Sequence, residues 1–133
     1  MNIPRQILFG ILTTTLLAAQ ALAGGRVMFL EPVDGATVAS EFTVRMGVEG
    51  MTVAPAGQLL EGTGHHHLIV DGKAVPKGSV VPADATHMHF GKGQTETTLK
   101  LPPGKHTLTL QFADGAHQSY GPELSTTIAI EVK

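Results

Sequence analysis

Cysteine is absent from the 133 residues, and so is tryptophan. Without a thiol the chain forms no disulfide, offers no thiolate nucleophile and builds no zinc–thiolate centre. A blue-copper centre is excluded as well, since it needs one Cys beside two His. Exported domains of this size often rely on disulfides; this one must fold on core packing alone or with help from a bound ion. A dominant charge is lacking too. Nine Lys and Arg stand against eleven Asp and Glu, and no basic run occurs, which argues against nucleic acid as a partner. No cationic amphipathic stretch points to a membrane surface. Beyond the N-terminal segment, no window of about 11 residues carries a helical period. Phosphate and acyl-transfer motifs are missing in usable form. Gly91-Lys92-Gly93 is a lone Gly-x-Gly with no helix after it, and no serine sits in a strand–turn–helix elbow.

What is present begins with an apolar run from Ile7 to about Ala19, preceded by Arg5 and followed by Ala21-Leu22-Ala23. Basic start, short apolar stretch and small-x-small site are the order of a secretory signal peptide. The run is shorter than the roughly 20 residues a membrane span needs, and no cysteine follows it to carry a lipid. We therefore expect residues 1–23 to be a signal peptide and residues 24–133 to be one domain in the periplasm or outside the cell. No stable membrane insertion is expected after cleavage. Removing Arg5 leaves eight basic against eleven acidic residues, a net charge of −3.

The remainder alternates with period two. Phe42, Val44, Met46 and Val48 share one face of "EFTVRMGVEG". Leu108, Leu110 and Phe112 follow His106 on one face of "KHTLTLQFADG". Ile128, Ile130 and Val132 do the same in "STTIAIEVK". "RVMFLEP", "TETTLKLPPG" and "HHHLIVDG" add further strands, the last apolar on both faces. Asp71-Gly72 signals a hairpin into "KAVPKG", and Pro102-Pro103-Gly104 signals a tight turn. Residues 50–64 and 77–87 are less patterned and are expected as long loops. About seven strands at this spacing predict an all-β, mainly antiparallel sandwich of immunoglobulin-like or cupredoxin-like type.

Seven histidines occur, at positions 65, 66, 67, 87, 89, 106 and 117. His65 and His67 are two apart on an extended segment, which puts both rings on one face about 7 Å apart at Cα. His87 and His89 repeat the pattern, and His117 follows the turn at Asp114-Gly115. Strand ends gather at the poles of a sandwich, so these side chains can meet at one point. Neutral imidazoles are the commonest ligands of copper, zinc and nickel. His65, His67, His89 and His117 are therefore the leading candidate ligands. His66, His87 and Met88 form a second rank, because His66 shares a face with Leu68 and Val70 and Met88 points opposite to its two histidine neighbours. Met51 is a further loop-placed thioether. Asp71 and Asp114 are candidates for carboxylates that orient the imidazoles. His106 is read as the first inward residue of its strand. Metal binding through imidazole is expected to weaken below about pH 6.

The stretches "GTGHHHLIVDG" and "HMHFGKGQTETTLKLPPGKHTLTLQFADGAHQSYGPELS" resemble the bacterial family known as domain of unknown function 4399, over roughly residues 45–133. The resemblance implies small exported proteins or modules, and it marks His65, His66, His67, His89, His106 and His117 as motif positions. It implies no established activity. The sandwich is also similar in architecture to periplasmic copper chaperones of cupredoxin-like fold, an analogy of form alone. The sequence thus leads to an exported protein that binds a transition metal ion, with copper favoured and zinc the alternative. It would act as a carrier or buffer, with another periplasmic metal-handling protein as a partner. Two other readings stand beside this one. The histidine-rich cleft would bind a non-metal ligand or a protein, or the chain would be a metal-dependent enzyme with three His ligands, for which Glu96 is the one candidate base.

Overall fold

A computed structural model describes residues 24–133; the expected signal peptide lies outside the described residues. The described chain is a sandwich of two β-sheets. Strands β1 (Arg26–Glu31), β3 (Glu41–Glu49) and β7 (Glu96–Lys100) form the smaller sheet, with β3 in the middle. The larger sheet runs β2 (Thr37–Val38), β9 (Ser125–Val132), β8 (Gly104–Ala113), β5 (Thr63–Val70) and β4 (Thr52–Val53). Strand β6 (His87–His89) also pairs with β5, antiparallel. Seven of the strands are three residues or longer, the number that the alternating runs predict. The two-residue strands β2 and β4 pair parallel with β9 and β5, so the fold is antiparallel except at these two edges.

The period-two residues meet between the sheets. Val27, Val44, Met46 and Leu99 from the smaller sheet pack on Leu68, Val70, Leu108, Leu110, Phe112, Ile128, Ile130 and Val132 from the larger. Met51 and Met88 pack against this core from its margin. Both side chains are partly buried in this packing.

Strand β5 is buried at every position from Gly64 to Val70, unlike the other strands. A third layer explains it. The chain leaves β5 at Asp71 and does not return until β6, so the hairpin expected at Asp71-Gly72 does not form. Residues 72–86 instead cross the outer face of the larger sheet. There Val75 and Val81 cover Ile69 and Ala113 in a second, smaller core. Gln111 secures this cover, its Oε1 accepting from the Val75 N–H at 3.1 Å and its Nε2 donating to the Gly121 carbonyl at 3.0 Å. The Ser119 hydroxyl donates to the Val75 carbonyl at 2.7 Å. The outer face of β5, which carries His65, His67 and Ile69, is therefore as dry as the inner one.

Candidate metal centre

Four segments converge over the outer face of β5. His65 and His67 stand two apart on that strand and point the same way, as strand geometry requires. His89 faces His67 directly across the β5–β6 ladder, with ring centroids 4.3 Å apart. His117 arrives from the turn that follows β8. Its ring centroid lies 4.7 Å from that of His65 and 4.6 Å from that of His89.

The turn is built to hold His117 in place. One oxygen of Asp114, Oδ1, accepts from the Ala116 N–H at 2.9 Å and the Gln118 N–H at 3.0 Å. His117 itself adopts φ 62, a left-handed conformation uncommon for a residue with a Cβ. Its carbonyl accepts from the Val81 N–H at 2.8 Å, tying it to the covering layer. On the far side the 54–58 loop leans in. Gly57 N–H donates to the Gly115 carbonyl at 2.9 Å, and Ala56 N–H to the Gly91 carbonyl at 2.8 Å. Gly115 has no room for a side chain, because a Cβ there would strike the Gln58 backbone.

The nitrogens are the chemistry. His65 Nε2 lies 2.9 Å and His67 Nε2 lies 3.2 Å from His117 Nδ1. These three residues form a group whose ligand atoms all fall within 4.8 Å of one another. Two nitrogens bound to one ion at about 2.0–2.1 Å stand roughly 2.9 Å apart at a right angle and roughly 3.3 Å apart at the tetrahedral angle. The observed spacings lie in that range. Three ring nitrogens facing one another satisfy no more than one or two protons among them. The opposite nitrogens, Nδ1 of His65 and Nδ1 of His67, are buried with no hydrogen-bond partner.

Burial also sets the charge state. The cost of desolvating an imidazolium, with the neighbouring His117 and His89 rings adding to it, holds His65 down at about 4. Burial likewise leads in lowering His67 to about 3, reinforced by His65, His89 and His117 and opposed by the Gln111 backbone. His117 is lowered by burial and by His89, with Asp114 pulling the other way. At neutral pH the three rings are uncharged and offer lone pairs.

His89 joins the cluster by its ring but not by the same nitrogen. Its Nε2 donates to the Pro82 carbonyl at 2.7 Å, which in a neutral ring leaves Nδ1 as the lone-pair nitrogen. A carbonyl behind one ring nitrogen is how proteins fix an imidazole that binds a metal through the other. Sequence reasoning had no signal for Pro82 or Gln111, since a backbone carbonyl and a lone buried amide carry no pattern.

The remaining candidates sit elsewhere. His66 points to the opposite face of β5, edge-on to Phe112 at 5.2 Å between centroids, and both its nitrogens are buried without a partner. Burial, with help from His65, lowers it to about 4. His87 lies one step beyond the cluster, opposite Ile69, with Nδ1 2.7 Å from Asp84 Oδ1. Asp71 is four strand steps past His67, about 13 Å along the chain, and does not orient the triad. Its carboxylate accepts from His106 Nδ1 at 2.8 Å and from the Thr107 N–H at 2.9 Å. Asp114 does reach the site, but through the backbone of the turn and not by a bond to an imidazole. Glu96 lies in the smaller sheet, 3.5 Å from Arg45, away from the histidines.

The molecule is thus an all-β sandwich with a triad of histidines, two buried and one half-buried, close enough to hold a metal ion. It belongs to the family described as Domain of unknown function (DUF4399), whose profile matches residues 44–133. No curated protein matches the chain. Among solved structures it is similar to the X-ray structure of the endo-beta-1,4-mannanase from Thermotoga petrophila, with a TM-score of 0.54 and 15% identity. The match covers 87% of this chain and 21% of that one, so this chain spans about a fifth of that protein. The likeness shows the fold alone. No helix among the described residues is long and apolar enough to cross a membrane.

Proposed function

We propose that this protein is an exported metal carrier or buffer that holds one transition metal ion on His65, His67 and His117, with the His89 ring packed against them. Copper is favoured. The donor set is imidazole without thiolate, which suits copper and, as the alternative, zinc. One observation carries the reading. Three imidazole nitrogens from two distant segments face one another at 2.9 and 3.2 Å, with His65 and His67 fully buried. The carrier role is supported by the make-up of the site, a group of three imidazoles that no carboxylate joins among the described residues. The expected signal peptide supports export to the periplasm or beyond the cell, where another metal-handling protein would be the partner.

The test is thermal unfolding of protein purified without a tag, with copper or zinc added. At a free ion concentration 100 times Kd, the stabilisation is about 2.7 kcal/mol, which for a domain of this size is on the order of 10 °C in Tm. His117→Asn abolishes the shift if the reading is right. No shift with either metal would return the cleft to a non-metal ligand or protein partner.

A further inference from the structure

We infer that the site selects copper in its monovalent state, Cu(I), over divalent copper or zinc. The inference rests on the metal reading above and specifies the ion that is carried. It starts from what the histidines of this chain do with carboxylates. His106 has Asp71 at 2.8 Å and His87 has Asp84 at 2.7 Å, each on Nδ1. The triad has neither kind of help. No carboxylate oxygen completes the group of His65, His67 and His117. No acceptor stands behind Nδ1 of His65 or His67. Asp114 is the nearest carboxylate in electrostatic reach, but its Oδ1 is spent on the Ala116 and Gln118 N–H groups.

Both absences bear on charge. Three neutral imidazoles leave the full ionic charge in the site. His65 and His67 are fully buried, and the same face of the sheet is packed with Ile69, Ala113, Val75 and Val81. Born desolvation grows with the square of the charge, so a divalent ion costs roughly four times as much to bury here as a monovalent one. A carboxylate behind a ligating imidazole raises its basicity and its donation to the metal. Without one, the rings are modest donors, suited to a low charge. Divalent copper further prefers a tetragonal set with added oxygen ligands, which the wall of aliphatic side chains does not supply. Low charge and three neutral donors describe Cu(I).

The test is a competition titration of the tag-free protein. Copper is kept as Cu(I) with ascorbate under nitrogen and buffered with bicinchoninate; Cu(II) and Zn(II) are measured against chelators of matched strength. One equivalent of Cu(I) should bind, at least about 100-fold more tightly than Cu(II), which at about 59 mV per tenfold raises the potential of the bound copper by about 118 mV. Zn(II) should bind more weakly than Cu(I) by a similar factor. Equal or tighter binding of Cu(II) or Zn(II) overturns the inference and leaves the metal reading standing. Failure to bind any of the three ions overturns both. In His117→Asn, the equivalent of Cu(I) should be lost; if it is retained, the ion sits elsewhere and the inference falls.

Discussion

Burial without a partner separates the histidines of β5 from the others. His66 is the plainest case, with both ring nitrogens enclosed in the main core and unbonded. An unsatisfied buried polar group costs about 1–3 kcal/mol. We expect His66→Leu, an apolar side chain of similar volume, to stabilise the protein by about 1 kcal/mol. Metal binding should be unchanged, because His66 faces away from the triad. A loss of stability in thermal melts would mean that the ring has a bonding role. The pH dependence follows from the same burial. His65 and His66 sit at about 4 and His67 at about 3, against an ordinary value of 6.5. A base with a lowered pKa binds fewer protons folded than unfolded. Stability is therefore full above 6.5 and is lost as the pH falls from there toward 4 and 3. His106 has the opposite sign. Its bonds to Asp71 and to the Pro102 carbonyl raise it, so its contribution is full below 6.5 and fades as the pH rises through the folded value. Melts of the metal-free protein from pH 4 to pH 9 should show a steep acid limb and a shallow alkaline one. His106→Gln should remove the second alone. A flat profile between pH 7 and pH 4 would contradict the burial of three neutral rings. The same shifts move the expected weakening of metal binding to lower pH than the value near 6 that free imidazole suggests.

Among the elements, the turn after β8 decides whether the cluster forms. β5 supplies two nitrogens by strand geometry, but the third depends on His117 holding a left-handed backbone. Asp114→Ala removes the acceptor of two backbone N–H groups and should cost about 1 kcal/mol of stability. Its effect on metal affinity should be larger, because His117 is then free to leave the triad. Asp114→Asn keeps an acceptor oxygen and should restore most of both, which melts and metal titration check together. Gly115→Ala is a harsher probe. Its Cβ would meet the Gln58 backbone, and overpacking of this kind costs about 1–3 kcal/mol. These elements also show what could be read from the sequence. The inner face of each sheet was legible because period-two alternation is a one-dimensional record of a half-buried surface. His65-x-His67 was legible because a strand repeats its direction every second residue, and His117 because it follows a turn signal at a strand end. The third layer was not. Residues 72–86 carry small apolar side chains without a regular period, and only their placement over Ile69 and Ala113 turns an exposed face into a dry one. Asp71 was misplaced for a related reason: period two continues a strand past the residue where it stops, whereas Asp71 turns away at φ 54 and bonds to the start of β8.

For the whole molecule, the arrangement divides labour between two faces of one sheet. The inner face of the larger sheet packs on β1, β3 and β7 and supplies the main core. The outer face carries the triad, under a cover tied to distant segments by hydrogen bonds, among them Gly78 N–H to the Ser119 carbonyl and Ser119 N–H to the Ser79 carbonyl. Val81 N–H donates to His117, Ala56 N–H to Gly91 and Gly57 N–H to Gly115. Such a cover buries little apolar surface, with Val75 and Val81 as its buried aliphatic side chains. Loosely packed segments of this kind open with low free energy, well short of global unfolding. Opening there would also be the route by which an ion enters, since the β5 ligands are otherwise sealed. Binding of an ion joins β5 to the 114–118 turn, and to β6 if His89 takes part. It therefore stabilises the closed cover but leaves the smaller sheet as it was. Hydrogen exchange tests this region by region. Adding one equivalent of metal should slow exchange at Ala56, Gly57, Val81 and His117, whose amides bridge the segments or sit in the turn. Amides of β3, in the middle of the smaller sheet, should exchange through global unfolding and slow only as far as the overall stability rises. Uniform slowing across both sheets would show that the ion acts on the fold as a unit and that the cover does not open on its own. No slowing at His117 would place the ion away from the turn.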